Sequence, residues 1–171
     1  MAHDDLDPAA ITVLKSIPAA LTQMLGSLPD EMAQLPLDDG WSAKDVVAHL
    51  IDARQAVFRE RIGRMLAEDQ PLIRPFDPST RIEELGYRAR SLTSLLDELA
   101  RDRAGDLDWL RSLTPEQRAR TGQHKEAGEI SVANLIYYWG CHELAHVAQI
   151  ARMIRSPLAE RVGNMTRYLD E

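Results

Sequence analysis

Cysteine is all but missing from this chain: Cys141 stands alone among 171 residues. A lone thiol excludes an intramolecular disulfide and a four-cysteine zinc site, so any bound metal has to rest mainly on histidine and carboxylate. Basic residues are in deficit as well. Against 27 Asp and Glu there are 20 Lys and Arg, a formal charge of −7, which is the wrong balance for a phosphate-binding face. Nucleic acid is therefore not an expected partner. Long apolar runs are also lacking: the longest charge-free stretches, residues 16–29 and 130–142, fall short of the ~18 apolar residues of a membrane-crossing helix. No membrane is expected, and the acidic residues 1–7 read as a flexible leader rather than a signal peptide. The location expected is cytoplasmic. With 44% hydrophobic and 27% charged residues, the composition is that of a folded globular protein, and the length suits one domain spanning 1–171.

Helical periodicity is what the chain does have, and almost nothing alternates with period two over a strand's length, so the expected class is all-α. Asp7 and Pro8 read as N-cap and first-turn proline of an opening helix, which Pro18 interrupts or restarts before about Leu28. Pro29, Pro36 and Asp38-Asp39-Gly40 mark a connection, with one short helical turn over residues 30–34. Ser42, with Asp45 three residues on, resembles a capping box that opens a second helix reaching about Glu68. The proline-rich residues 70–78 form the next loop. After Asp77-Pro78-Ser79, the positions Ile82, Leu85, Ala89, Leu92, Leu96 and Leu99 follow the narrow stripe of a bundle helix ending near Arg103. Residues 104–130 carry Gly105, Gly122 and Gly128 and a local helix start at Thr114-Pro115-Glu116, and read as a long, partly helical crossover. Ser131 caps a fourth helix that Ser156-Pro157 stops near Arg155, with a short terminal helix over 158–169. Four long helices with one long crossover before the last describe a four-helix bundle.

At 100° per residue, Leu135, Trp139, His142, His146, Gln149 and Met153 fall within about 80° of one another on the fourth helix. Both imidazoles then face the core one turn apart, where two nitrogens can reach one divalent ion. Two neutral imidazoles buried without an ion would each need a polar partner. The candidate third ligand is His49, whose face carries Asp45, Val46, Ala53, Ala56 and Glu60, the two alanines leaving room. Val47, Ile51, Phe58, Ile62 and Met65 occupy the opposite side. A hydrogen-bonded core histidine is the other reading of His49, and Asp52 or Glu60 would then be the next ligands to consider. His3 reads as solvated and His124 as a pocket-rim or plain loop residue. Cys141 points about 100° from His142 and reads as a small buried hydrophobe. Tyr137 and Leu144 face outward, where a homodimer or the C-terminal segment is expected to cover them.

His142-Glu143-Leu144-Ala145-His146 also fits the H-E-x-x-H pattern of zinc peptidases, with Glu143 as general base. The extended form of that motif asks for a glycine and a third histidine where Gln149 and Arg152 stand. A downstream carboxylate such as Glu160 would complete the other form, but no strands are expected to hold a peptide, and Glu143 lies about 80° off the midpoint of the two histidines.

Trp41-Ser42-Ala43-Lys44-Asp45-Val46-Val47-Ala48-His49-Leu50 resembles the signature W-S-x-K-(D/E)-x-x-x-H-L of the DinB-like superfamily. His142-x-x-x-His146-Val147-Ala148-Gln149-Ile150 is similar to its closing H-x-x-x-H-(I/V)-x-Q-I, and residues 122–131 to the stretch before its last helix. The resemblance implies a four-helix bundle with a divalent metal, zinc or nickel, held by His49, His142 and His146. Related proteins include bacillithiol S-transferases and a mycothiol-dependent maleylpyruvate isomerase, and many members are called metal-dependent hydrolases. The function implied is thus a thiol S-transferase or hydrolase acting on a small molecule, with a low-molecular-weight thiol as the further cofactor in the transferase case. Three imidazoles leave a coordination position open, and a metal lowers the pKa of the thiol or water that fills it. Gln149 is the candidate to bind substrate or to orient a histidine, and Arg54, Arg64 and Arg152 are candidates to meet a carboxylate. A non-catalytic stress-response or interaction bundle that keeps the fold is the alternative.

Overall fold

The computed structural model describes residues 8–36, 40–78 and 80–169. The leader with His3, the capping Asp7, the turn residues Asp38 and Asp39, and Ser79 lie outside the described residues.

Helix α1 (Pro8–Leu25) runs through Pro18 without restarting. Side-chain hydroxyls engage carbonyls on either side of the proline, Ser16 Oγ donating to the Thr12 carbonyl at 2.8 Å and Thr22 Oγ1 to the Pro18 carbonyl at 2.9 Å. The short α2 (Asp30–Ala33) follows. Ser42 then opens α3 (Ala43–Ala53) with the expected capping box: its Oγ accepts from the Asp45 amide at 3.1 Å, and Asp45 Oδ2 accepts from the Ser42 amide at 3.1 Å. Every residue of α3 is buried, and its charged members have partners. Lys44 donates to the Arg88 carbonyl at 3.0 Å, and Asp52 takes a two-pronged contact from Arg81 at 2.6 and 2.7 Å.

The second long helix does not continue as plain α-helix. Residues Arg54–Arg59 form a π turn before α4 (Glu60–Ala67), with the Glu60 amide bonded to the Gln55 carbonyl five residues back. A buried aspartate clamps this turn at both ends: Arg54 Nε donates to Asp106 Oδ2 at 2.6 Å and Arg59 Nη1 to Asp106 Oδ1 at 2.9 Å. Because a π turn takes up one extra residue, it sets the following side chains back by about 100° relative to an ideal helix.

The third helix begins later than its apolar stripe suggests. After β1 (Leu72–Ile73) come α5 (Arg81–Glu84) and a single 3₁₀ turn, and only then α6 (Leu92–Ser112). Gly86, with φ at +69°, breaks the continuity, and Leu85 is exposed rather than in the stripe. At its other end α6 extends nine residues past Arg103, so the crossover is shorter than expected. It also contains strands, which the reading of a partly helical crossover without strands did not include. Following α7 (Pro115–Ala119), β2 (Thr121–His124) and β3 (Gly128–Ser131) form a hairpin, and β1 joins β2 in parallel to make a three-stranded sheet in the order β1-β2-β3. Gly122 sits where a Cβ would lie 3.1 Å from the Pro71 carbonyl oxygen, so a side chain there would crowd the approach of the two segments.

Helix α8 (Val132–Ala159) starts at another capping box, Ser131 with Asn134, and passes through Pro157 instead of stopping before it. The proline itself is exposed, in the last turn of the helix. A 3₁₀ segment, Gly163–Tyr168, stands where a terminal helix was expected. Among the long helices, α1 packs on α6 and α8, and α3 on the same two, closing a four-helix bundle. Its core divides into two groups. One gathers Ile17, Leu21, Leu50, Leu95 and Ile150, the other Leu14, Phe58, Ile62, Leu110 and Trp139. His49 lies on α3 between residues of the two. No helix among the described residues is long and apolar enough to cross a membrane.

Candidate metal centre

The expected trio comes together. One ring nitrogen from each of His49, His142 and His146 lies within 4.8 Å of the others, in the sole such cluster of three or more His, Cys, Asp or Glu ligands among the described residues. His49 arrives two turns after the Ser42 cap, and His142 and His146 from successive turns of α8. Nε2 of His49 and Nε2 of His142 stand 3.1 Å apart, a spacing that two ligands take when each is about 2.0–2.1 Å from one ion. His146 bonds through Nδ1 to Gln149 Oε1 at 2.7 Å, which leaves its Nε2 as the ligand nitrogen. By contrast, Nδ1 of His49 and of His142 are buried without a hydrogen-bond partner. Imidazoles so placed gain little from the protein alone, and the all-nitrogen donor set fits a divalent ion of the zinc or nickel kind.

Burial and mutual repulsion keep two of the three imidazoles neutral. Burial, then the repulsion of His146 and His142, pushes the His49 imidazole down to about 3, and burial with the repulsion of His146 pushes His142 down to about 4. Both therefore present lone pairs at neutral pH. Aromatic rings wall the cluster: Trp41 lies 5.0 Å from the His49 ring, edge on, and 6.4 Å from His146, stacked. Phe58 sits 5.5 Å from His142 and Phe76 6.4 Å from His49. The tryptophan that opens the Trp41–Leu50 signature thus packs on two of the three histidines, His49 and His146, and the serine and aspartate after it cap the helix that presents His49.

A cavity of about 590 Å³ opens onto His49 and His142. Its walls come from α3, the π turn and α4 on one side, α8 on another, and the β2–β3 hairpin, with Phe76 and His124 among its lining. His124 therefore belongs to the pocket. Phe58, which an uninterrupted helix places opposite His49, lines the same cavity as His49 because the π turn has rotated it there.

Other expected candidates lie elsewhere. Arg54 is paired with Asp102 and Asp106, Arg64 with Glu68, and the exposed Arg152 is not part of the cavity lining. Asp52 is engaged by Arg81, and the exposed Glu60 is outside the cluster. Cys141 is exposed, not buried: it shares the outer side of α8 with Tyr137 and Leu144, both also exposed. Gln149 touches His146 and is not among the cavity-lining residues.

Glu143 is turned away from the histidines. It is 1% exposed, its Oε1 accepting from Arg103 Nη2 at 2.5 Å and from the Trp139 indole at 2.7 Å. Burial pushes its carboxyl above the usual range against the opposing pull of Arg103 and Trp139. A peptidase base has to face the water it activates, and Glu160 is exposed beyond the end of α8, so the H-E-x-x-H reading loses both its base and its third protein ligand.

Sequence reasoning missed Arg61. It is buried and lines the cavity, and its signal was a charged residue within the apolar stripe of Phe58, Ile62 and Met65.

Similarity to other proteins agrees with the site. The chain is 30% identical over 147 residues to a protein of Oceanobacillus iheyensis, covering 83% of this chain and 84% of the other. It is 30% identical over 158 residues to YfiT of Bacillus subtilis, covering 83% and 82%. Both carry the name "Putative metal-dependent hydrolase". The solved structure of YfiT, described as a four-helix bundle of unusual topology, matches with a TM-score of 0.79 at 27% identity, over 91% of this chain and 89% of that one. Residues 14–150, from the middle of α1 to Ile150 just past the second α8 histidine, match the DinB superfamily, and the chain belongs to that superfamily.

Proposed function

We propose that the chain is a divalent-metal-dependent enzyme acting on a small molecule, by hydrolysis or by transfer of a low-molecular-weight thiol, with His49, His142 and His146 as the metal ligands. The observation that carries the reading is the convergence of three imidazoles within 4.8 Å, two of which, His49 and His142, line a cavity of ligand size. A bound zinc or nickel ion supplies one thing: it lowers the pKa of a thiol or water in its open position, making a nucleophile near neutral pH. The protein's own residues do the rest. Gln149 Oε1 fixes the His146 ring by accepting its Nδ1 proton, while Trp41, Phe58 and Phe76 exclude water around the imidazoles and so strengthen electrostatic interactions there.

Elemental analysis of the purified chain after supplementation is expected to give close to one equivalent of zinc or nickel. Less than about half an equivalent refutes the reading. Replacing any one of the three histidines by Ala should weaken metal binding by a similar large factor, since each supplies one ligand. If His49→Ala melts earlier yet keeps full affinity, the trio is wrong. Turnover of an electrophile with a low-molecular-weight thiol supports the transferase form and turnover of an ester or amide the hydrolase form. A metal-loaded chain inactive on both classes favours the non-catalytic alternative.

A further inference from the structure

The cavity contains a positive charge that the metal reading does not use. Arg61 on α4 is 7% exposed and lines the cavity together with His49 and His142. Other well-buried arginines of this protein are neutralised: Arg103 by Glu143, and Arg54 by Asp102 and Asp106. For Arg61 the hydrogen bond formed is from Nη2 to the Arg74 carbonyl at 2.8 Å, and among the described residues no carboxylate lies within ion-pair distance of it. The acidic groups nearest in the chain or cavity, Glu60 and Glu126, are exposed. Burying a guanidinium without a paired carboxylate is costly, and burial pushes its pKa down from the usual value against the weaker opposing pull of Glu60 and Tyr138. Such a group is retained at a cavity wall most economically when an anion arrives with the ligand.

A second donor stands in the same wall. Nδ1 of His124 accepts from the amides of Glu126 and Ala127 at 3.3 and 3.2 Å, so the proton of the neutral ring sits on Nε2. The remaining lining is largely apolar, with Phe58, Phe76, Ile130 and Leu135, and the volume of about 590 Å³ suits a small organic molecule rather than a bare ion.

We propose that Arg61 is the specificity-determining residue of this cavity, binding the carboxylate of a small substrate or thiol whose apolar body lies against Phe58 and Phe76 and whose reacting end faces the histidines. The inference rests on the histidines being the reaction centre, and its test separates the two. The π turn is what makes the arrangement available, because it brings Arg61 and His49 to one cavity from a single helix.

The probes are 3-phenylpropionate and its uncharged counterpart 3-phenylpropanamide, titrated calorimetrically into the full chain loaded with Zn²⁺ and again after chelator treatment. The carboxylate should bind about 10-fold or more tightly than the amide in both forms, as a charge-assisted pairing gives. Direct ligation of zinc by the carboxylate would show a preference in the loaded form only, and that result overturns the proposal. Arg61→Met should bring the two probes within about 2-fold of each other, and Arg61→Lys should keep part of the preference. An undiminished preference in Arg61→Met overturns it too. Should Arg61→Met fail to fold, the ¹⁵N resonance of Arg61 Nε in the wild type decides: movement with the carboxylate and not with the amide supports the proposal, and movement with neither refutes it. A chain that binds one equivalent of metal but shows no carboxylate preference refutes the Arg61 subsite alone. A chain with the preference but no metal refutes the histidine reading alone.

Discussion

Replacing Glu143 by Ala separates two views of the same five-residue motif. Were it a general base, its loss would stop turnover and leave the fold intact. The structure places it instead in a buried pair with Arg103, which is 2% exposed, its guanidinium 5.1 Å from the centre of the Trp139 ring. Removing one partner of a buried pair leaves the other charge uncompensated, which costs about 3–5 kcal/mol. The Trp139 N–H loses its acceptor in the same step. For a chain of this size that corresponds to a fall in melting temperature of roughly 10 °C. Glu143→Gln should lose less, since an amide oxygen can still accept from Trp139, and the double change Arg103→Met with Glu143→Leu should recover most of the loss because no charge is left buried. Urea unfolding of the four proteins, with metal content measured in parallel, reads all of this. Metal binding should be unchanged wherever the protein is folded. If Glu143→Ala keeps its unfolding midpoint to within about 0.5 kcal/mol while losing activity, the pairing argument fails and the carboxylate belongs to the chemistry.

Acidification should destabilise the metal-free protein by way of the two depressed imidazoles. Their folded values, about 3 and about 4, lie below the ordinary 6.5, so the unfolded chain takes up protons first: stability is fully present above about pH 6.5 and is lost as pH falls toward 4, by up to about 2.7 kcal/mol per pH unit when both titrate in the unfolded chain. Urea midpoints at pH 7.5, 6 and 5 measure it, and His49→Ala should show a slope shallower by one proton. Gln149→Ala should weaken metal affinity about 10- to 100-fold with little change in melting, since it removes the partner of His146 Nδ1; competition against a chromophoric chelator checks this, and an unchanged affinity would show the contact to be idle.

The parts of the site legible in the sequence are those whose determinants are local. A capping box, a tryptophan before it and a histidine two turns after its serine all fall within Trp41–Leu50, and an i,i+4 histidine pair fixes its own geometry once a helix is granted. What escaped notice depends on contacts between distant segments. Strands of two and four residues are too short to show alternation, and they form because Gly122 lets Pro71 approach and because β2 has β3 beside it. The stripe from Ile82 to Leu99 has the right spacing for one helix, yet Gly86 in the left-handed region divides it. Nothing in composition marks a π turn: its clamp, Asp106, lies some fifty residues downstream on α6. For the same reason Phe58 was placed opposite His49, and Arg61 went unremarked.

The π turn amounts to a single surplus residue in an otherwise regular helix, and it lies between two things the site needs. His49 precedes it, and Phe58 and Arg61 fall at its end or just beyond. Deletion of one residue between Ala53 and Glu60 would restore plain helix and turn the downstream wall by about 100° without moving His49, which lies upstream. In a bundle built this way, the lining of the cavity is open to revision by insertion and deletion while the histidines stay in place, so that substrate preference can drift on a scaffold whose metal chemistry is held constant.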